Sequence, residues 1–304
     1  MARLQLGLDA YSPREISEKV RAVGVTKARL QFMQTAMLAV LAGLFIGLGA
    51  LFYTLVASDA ALGFAATRVL GGLVFSLGLI LVTVGGAELF TGNNLMVMAW
   101  ADRKITTLEL LRNWVIVYVG NAVGAIGLAV LVYLSDHGAM HGGSVGVTYV
   151  KIAAAKTALS FGEAFFKGML CNILVCLAVW LAMAGHTVVD KIFAIVLPIS
   201  AFVAAGFEHS VANMYFIPMG LLLADSVALP AGVNLANLGL GGFLTNLLPV
   251  TLGNIVGGSV MVAAVYYVIY RRPALVERRG GDERTRATDL VSETTRASDR
   301  QEQD

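Results

Sequence analysis

The sequence predicts an all-α integral membrane protein of six transmembrane helices, arranged as two inverted three-helix repeats with interrupted second and fifth helices. Three observations carry this expectation: the composition, the spacing of charge-free apolar runs, and two motif pairs that recur in the same order. Of the 304 residues, 57% are hydrophobic and only 14% charged. A soluble domain has about 25% charged residues, so most of this chain must face lipid or a lipid-like interior.

Composition also excludes several classes. The formal charge of +2 is small and dispersed, and no basic, aromatic-rich segment offers a nucleic-acid surface. Cys171 and Cys176 share one apolar run at a spacing that places them on different helix faces, which predicts buried free thiols. The histidines at 137, 141, 186 and 209 are too scattered for a local metal-ligand motif, and no metal or other cofactor is expected. No nucleophile–base pair or phosphate loop lies outside the apolar runs, so an enzyme is not expected.

The elements follow in order. Ser12-Pro13-Arg14-Glu15 is a helix-start signature, and Ile16, Val20 and Val23 follow at helical spacing among charges. Residues 1–29 therefore read as a cytoplasmic N-terminal segment with an interfacial amphipathic helix. A helix needs about 20 apolar residues to cross the hydrocarbon core. Runs of that length place the spans near 30–57, 68–101, 110–134, 159–184, 189–224 and 244–270, within a channel domain of residues 30–272. Residues 273–304 are charged, rich in Thr and Ser and poor in large apolar groups, the composition of a disordered cytoplasmic tail. Lys and Arg crowd both ends of the apolar region, with six between Arg3 and Arg29 and Arg271-Arg272 after the last run. Both termini are thus expected in the cytoplasm, as an even number of spans requires.

The interruptions match between halves. Glu88 and Asn93 bracket four residues in the second run, as Glu208 and Asn213 do in the fifth. Asn113 followed by Gly120-Asn121-Ala122-Val123-Gly124 is echoed by Asn246 followed by Gly253-Asn254-Ile255-Val256-Gly257. Two echoes in one order argue for a duplication of three spans, and an odd number of spans inverts the second copy. Broken helices at membrane depth survive only where protein or a wet cavity satisfies the freed backbone. Thr91, Asn93, Asn94, Ser210 and Asn213 suit that task. Glu88 and Glu208 are expected to cap the freed amides of their own helices. His209 has Leu89 as its counterpart, so it breaks the symmetry, is not needed for backbone repair and is the leading functional residue. Amides opening each second half-helix favour an anion, which makes a pore for a small monovalent anion or its conjugate acid the expected function. An aquaporin-like pore for neutral solutes is the alternative from another class.

At these residues the chain resembles the formate/nitrite transporter family. Gly86-Ala87-Glu88-Leu89-Phe90-Thr91-Gly92-Asn93 and Gly206-Phe207-Glu208-His209-Ser210-Val211-Ala212-Asn213-Met214 resemble its two signature segments. Lys167-Gly168-Met169-Leu170-Cys171-Asn172 resembles its fourth-span motif. The likeness runs from about residue 13 to 272. It implies an aquaporin-like fold, a homopentamer with one pore per protomer in a bacterial inner membrane, and permeation coupled to protons. The same resemblance implies that His209 is the central pore histidine, supported by Glu208, with Thr91 in a loop facing it and Asn172 in its environment. It further implies an outer constriction of Phe75 and Phe202, an inner one of Leu79 and Leu89 with Phe90, Val175 near the pore, and Lys156 in the outer vestibule. The run from Asn246 to Asn254 and Leu197-Pro198 resemble the formate channels, whereas Leu89-Phe90-Thr91-Gly92 also resembles the nitrite branch. Formate is the leading substrate, with nitrite or hydrosulfide as alternatives.

Overall fold

A computed structural model describes residues 10–59 and 61–271. The expected tail at 273–304 lies outside the described residues. Helix α1 (Pro13–Arg29) opens with the expected capping box. Ser12 accepts from the Glu15 amide, and Glu15 accepts from the Ser12 amide at 2.8 Å. The Ser12 hydroxyl, and after it the Ser12 amide, donate to the Glu15 carboxylate and hold it below its ordinary pKa range. The apolar face of α1 does not lie free at an interface. Ile16 and Val20 pack with Leu95, Met98, Trp180 and Val262, and Gly24 lies over Ala99 closely enough that an added Cβ would meet the Ala99 Cβ at 3.1 Å. A stripe narrowed by small residues lets α1 seat on protein, where burial removes apolar area from water without needing lipid. Arg271 binds Asp102 at 2.8 Å and Glu18 at 3.2 Å, tying α1 to the end of the last span.

Among the described residues, six helices are long and apolar enough to cross a membrane: Phe32–Ala57, Phe64–Gly85, Thr107–Leu134, Phe161–Ala182, Val188–Ala205 and Leu240–Arg271. In chain order they are α2 (Phe32–Ala57), α3 (Phe64–Phe75) with α4 (Leu77–Gly85), α7 (Thr107–Leu134), α9 (Phe161–Ala182), α10 (Val188–Ala205), and α12 (Leu240–Ile255), which continues with π-helical turns to Arg271. After the break that follows α4 come α5 (Phe90–Asn93) and, past one 3-10 turn, α6 (Val97–Ala101). After the break that follows α10 comes α11 (Ser210–Leu223).

The segment between the third and fourth spans is not only a glycine-rich loop. It contains α8 (Ser144–Thr157), a helix of 14 residues with Tyr149, Val150 and Ala153 fully buried. Its length is below a membrane span, so an apolar-run search passes over it. Its position matches that of α1: each is a short helix placed ahead of three spans.

Helix α2 packs on α7 and α9 on α12. A Cβ on Gly124 would collide with the Val40 carbonyl, and one on Gly253 with the Phe165 carbonyl. The echoed glycines thus let the backbones of these helix pairs touch, as small residues do where lipid supplies no hydrophobic drive between helices.

Candidate functional site

Both broken helices end in the same way. Gly86 (φ 82°) and Gly206 (φ 75°) adopt the left-handed conformation that closes α4 and α10, a geometry open to glycine because it has no Cβ. Three further residues lead to the second half-helix in each case. The freed amides are then satisfied from neighbouring spans. Glu88 N–H donates to the Leu38 carbonyl and Phe90 N–H to Asn121 Oδ1 at 2.9 Å. Glu208 N–H donates to the Lys167 carbonyl and Ser210 N–H to Asn254 Oδ1 at 3.0 Å. The Nδ2 groups of Asn121 and Asn254 return to the carbonyls of Glu88 and Glu208 at 2.9 and 3.0 Å. The expected capping role of the two glutamates is therefore taken by Asn121 and Asn254, because a short amide on an adjacent helix offers both donor and acceptor to the break. The echo around these asparagines was the signal for that role.

The glutamates instead anchor two matching charge clusters. Glu88 accepts from Asn93 Nδ2 at 2.7 Å and pairs with Lys27 at 2.9 Å, while Asn93 also donates to Asn113 Oδ1 at 2.9 Å. Glu208 accepts from Asn213 Nδ2 at 2.7 Å and pairs with Lys156 at 2.9 Å, while Asn213 donates to Asn246 Oδ1 at 2.8 Å. Glu88 and Glu208 are 4% and 5% exposed, and the lysine ammonium beside each offsets the cost of holding its carboxylate out of water. Lys27 comes from the end of α1 and Lys156 from the end of α8. In the sequence Lys27 stands only as one of the six cations ahead of the first span. Its partner lies 61 positions away in a different element, a distance that no local pattern bridges.

Each cluster opens onto a cavity. The Lys156-side cavity, about 250 Å³, is lined by Phe75, Lys156, Lys167, Phe202, Glu208 and His209 among others. The Lys27-side cavity, about 200 Å³, is lined by Lys27, Leu79, Thr83, Glu88 and Leu89 among others. Phe75 and Phe202 meet edge to face with centroids 5.7 Å apart, and Phe202 stacks with His209 at 6.0 Å. The aromatic pair and the leucine pair thus fall on opposite cavities.

His209 holds the two halves together. Its Nε2 lies 3.0 Å from Thr91 Oγ1, and its Nδ1 accepts the Ala212 amide at 3.1 Å as the cap of α11. Contrary to expectation, His209 does take part in backbone repair. An Nδ1 that accepts an amide proton carries none itself, which assigns the hydrogen of the neutral ring to Nε2. Asn172 Nδ2 reaches the Thr91 carbonyl at 3.2 Å, Asn94 Oδ1 at 2.9 Å and the Asn254 carbonyl at 2.7 Å, so it fixes the short helix α5, which, in place of the expected loop, presents Thr91. Val175 is buried in the core, and Phe90 turns away from both cavities to pack on Trp114 and Tyr118. The expected constriction role of Phe90 is not supported: the residue after Leu89 starts α5, and its ring faces α7.

Comparisons with known proteins agree with one another. A family model described as Formate/nitrite transporter matches residues 14–268. The formate channel FocA of Escherichia coli (strain K12) is 41% identical over 273 residues, covering 87% of this chain and 96% of that protein. A probable formate transporter of Methanothermobacter thermautotrophicus is 38% identical over 282 residues, covering 87% of this chain and 99% of its own. Among solved structures, a pentameric formate channel with formate bound aligns with a TM-score of 0.70 at 38% identity, over 79% of this chain and 97% of its own. An FNT family ion channel aligns with a TM-score of 0.73 at 29% identity, over 84% and 98%. With six membrane-length helices, two matched broken spans and a family match across nearly all of the described residues, this chain is a multi-pass membrane protein of the formate/nitrite transporter family.

Proposed function

We propose that the protein is a proton-coupled formate channel that works as a homopentamer in the bacterial inner membrane, with both termini in the cytoplasm. The observation that carries the reading is the Thr91–His209 contact set between two charged cavities. Its similarity to formate channels, one of them pentameric, supports the substrate and the assembly. A bare anion is costly among Phe75, Phe202, Leu79 and Leu89, whereas the neutral acid is far cheaper. The excess cations of the Lys156-side vestibule draw the anion in, and a proton must reach it at the constriction. The neutral His209 ring offers Nε2–H as a hydrogen-bond donor. Full proton donation from that state would leave an imidazolate, so the proton comes from bulk hydronium, relayed through water, while His209 orients the anion. The matched clusters and breaks support an inverted repeat in which each half supplies the charge cluster of one vestibule.

The test is flux in proteoliposomes containing formate, nitrite, hydrosulfide or a neutral solute of similar size. Formate flux that rises as pH falls and is inhibited by competing anions is expected. Flux of the neutral solute without pH dependence would replace the reading with an aquaporin-like pore, and preference for nitrite would move the chain to that branch.

Topology has its own measurement. Reporters fused at either terminus are expected to be active only in the cytoplasm, and cysteines placed at 89–93 and 209–213 should react from opposite sides. A C-terminal reporter active outside the cell would overturn the terminal assignment.

A further inference from the structure

The two vestibules are unequal in charge. The Lys27-side cavity is lined by one cation, Lys27, and one carboxylate, Glu88, which are paired. The Lys156-side cavity is lined by Arg68, Lys156 and Lys167, with Glu208 as its only carboxylate, and Glu208 is bound to Lys156. The excess lies with Arg68 and Lys167.

Arg68, on the first turns of α3, reaches over the break in α10. Its Nη1 donates to the Tyr53 hydroxyl at 3.3 Å. Its Cζ lies 5.7 Å from the centre of the Phe64 ring. Nη2 overhangs Gly206 so closely that a Cβ there would sit 2.7 Å from it, whereas Gly86, the corresponding residue in the other half, has open space at that position. Nε is buried with no hydrogen-bond partner among the described residues, and no described carboxylate pairs with the guanidinium. Buried donors in native proteins rarely go without a partner. This one belongs to a half-held guanidinium that lines the same cavity as Phe75, Phe202 and His209.

The structure assigns Arg68, steadied by Tyr53 and given room by Gly206, as a capture site for a planar two-oxygen anion in the Lys156-side vestibule, ahead of the Phe75–Phe202 constriction. The assignment rests on the channel reading above and deepens it by naming where the carboxylate is first held. The chemistry follows from shape. A guanidinium presents parallel N–H groups that match the two oxygens of a carboxylate, whereas an ammonium offers a point charge with no such match. Formate and nitrite both fit that fork, and hydrosulfide does not. Arg68 is a positioning residue for permeation. It loads the vestibule and takes no part at His209, so its loss should raise the concentration needed for flux and leave the maximal rate nearly intact.

The experiment compares the unsubstituted pentamer with Arg68→Gln and Arg68→Lys, reconstituted in one orientation. Stopped-flow initial rates are recorded against the concentration of formate presented on the Lys156 side, with hydrosulfide as comparator. Arg68→Gln should raise half-saturating formate about five- to tenfold, the size expected for loss of a partly solvated charge-assisted contact, with the maximal rate within about twofold. Arg68→Lys should recover less than half of that loss for formate, while its hydrosulfide flux matches that of the unsubstituted protein. Unchanged half-saturation in Arg68→Gln, or full recovery for formate by Arg68→Lys, overturns the site. Absence of formate flux in the unsubstituted protein would instead sink the proposed function, so the two failures are distinguishable.

Discussion

His209→Asn is expected to assemble as a normal oligomer and to lose proton-coupled formate uptake, leaving at most a slow leak of the anion. The fold should persist because the substituted side chain can still cap α11. His209 Nδ1 accepts the Ala212 amide, and asparagine is among the best residues for that position. The function should fail because asparagine has no ring and no Nε2–H placed 3.0 Å from Thr91. The amide is also shorter and places no donor where Nε2–H lies, so it does not orient the anion at the constriction for protonation through water. Lumenal pH and formate would be followed together in stopped-flow experiments on liposomes. Coupled uptake should fall at least about tenfold, as expected when one positioned hydrogen-bond donor is removed from the reacting anion. Coupling that survives in His209→Asn would show that the histidine only fills space and holds α11.

Glu208→Ala is the second large effect, and here the damage falls on assembly. The substitution strands the Lys156 ammonium, whose side chain is 14% exposed, and takes an acceptor from Asn213 Nδ2. Removing one partner of a buried ion pair costs about 3 kcal/mol or more, because the other charge stays behind uncompensated. Thermal melting of the oligomer in detergent should fall sharply, and membrane yield with it. Glu208→Gln keeps an oxygen for Asn213 and should be milder. Glu88→Ala offers an internal comparison: Lys27 is 24% exposed and can turn to solvent more easily, so its loss should be smaller. A Glu208→Ala oligomer that melts like the unsubstituted protein would remove Glu208 from the structural framework.

The spans, the broken helices and the recurrence between halves were legible because each leaves a local mark. Lipid demands an uninterrupted apolar run, so the six membrane helices appear as such; four keep their bounds within a few residues, while the expected runs at 68–101 and 189–224 took in the short half-helices beyond each break, the membrane-length helices ending at Gly85 and Ala205. The Glu–Asn and Asn–Gly echoes stand at fixed spacings, so the duplication could be read directly. His209 stood out as the residue that breaks the symmetry. The capping box on α1 was visible because its partners are three residues apart.

The partners of the buried charges lay beyond that reading. A glutamate beside a helix break looks like a local cap, and the sequence alone favours that assignment. Only the packed structure brings Asn121 and Asn254 to the breaks and leaves Glu88 and Glu208 to Lys27 and Lys156. The short helix α8 escaped notice because 14 residues cannot cross a bilayer, although it delivers Lys156. The direction of Phe90 and the reach of Arg68 to Tyr53 depend on how helices distant in sequence pack together. By itself, the sequence determined the solvent, the spans and the recurrence of the broken-helix motifs, since periodicity and composition are properties of neighbouring residues. Tertiary structure decided which buried polar group answers which, because hydrogen bonds and ion pairs are satisfied by proximity in space, and here their partners lie between about 5 and 250 positions apart.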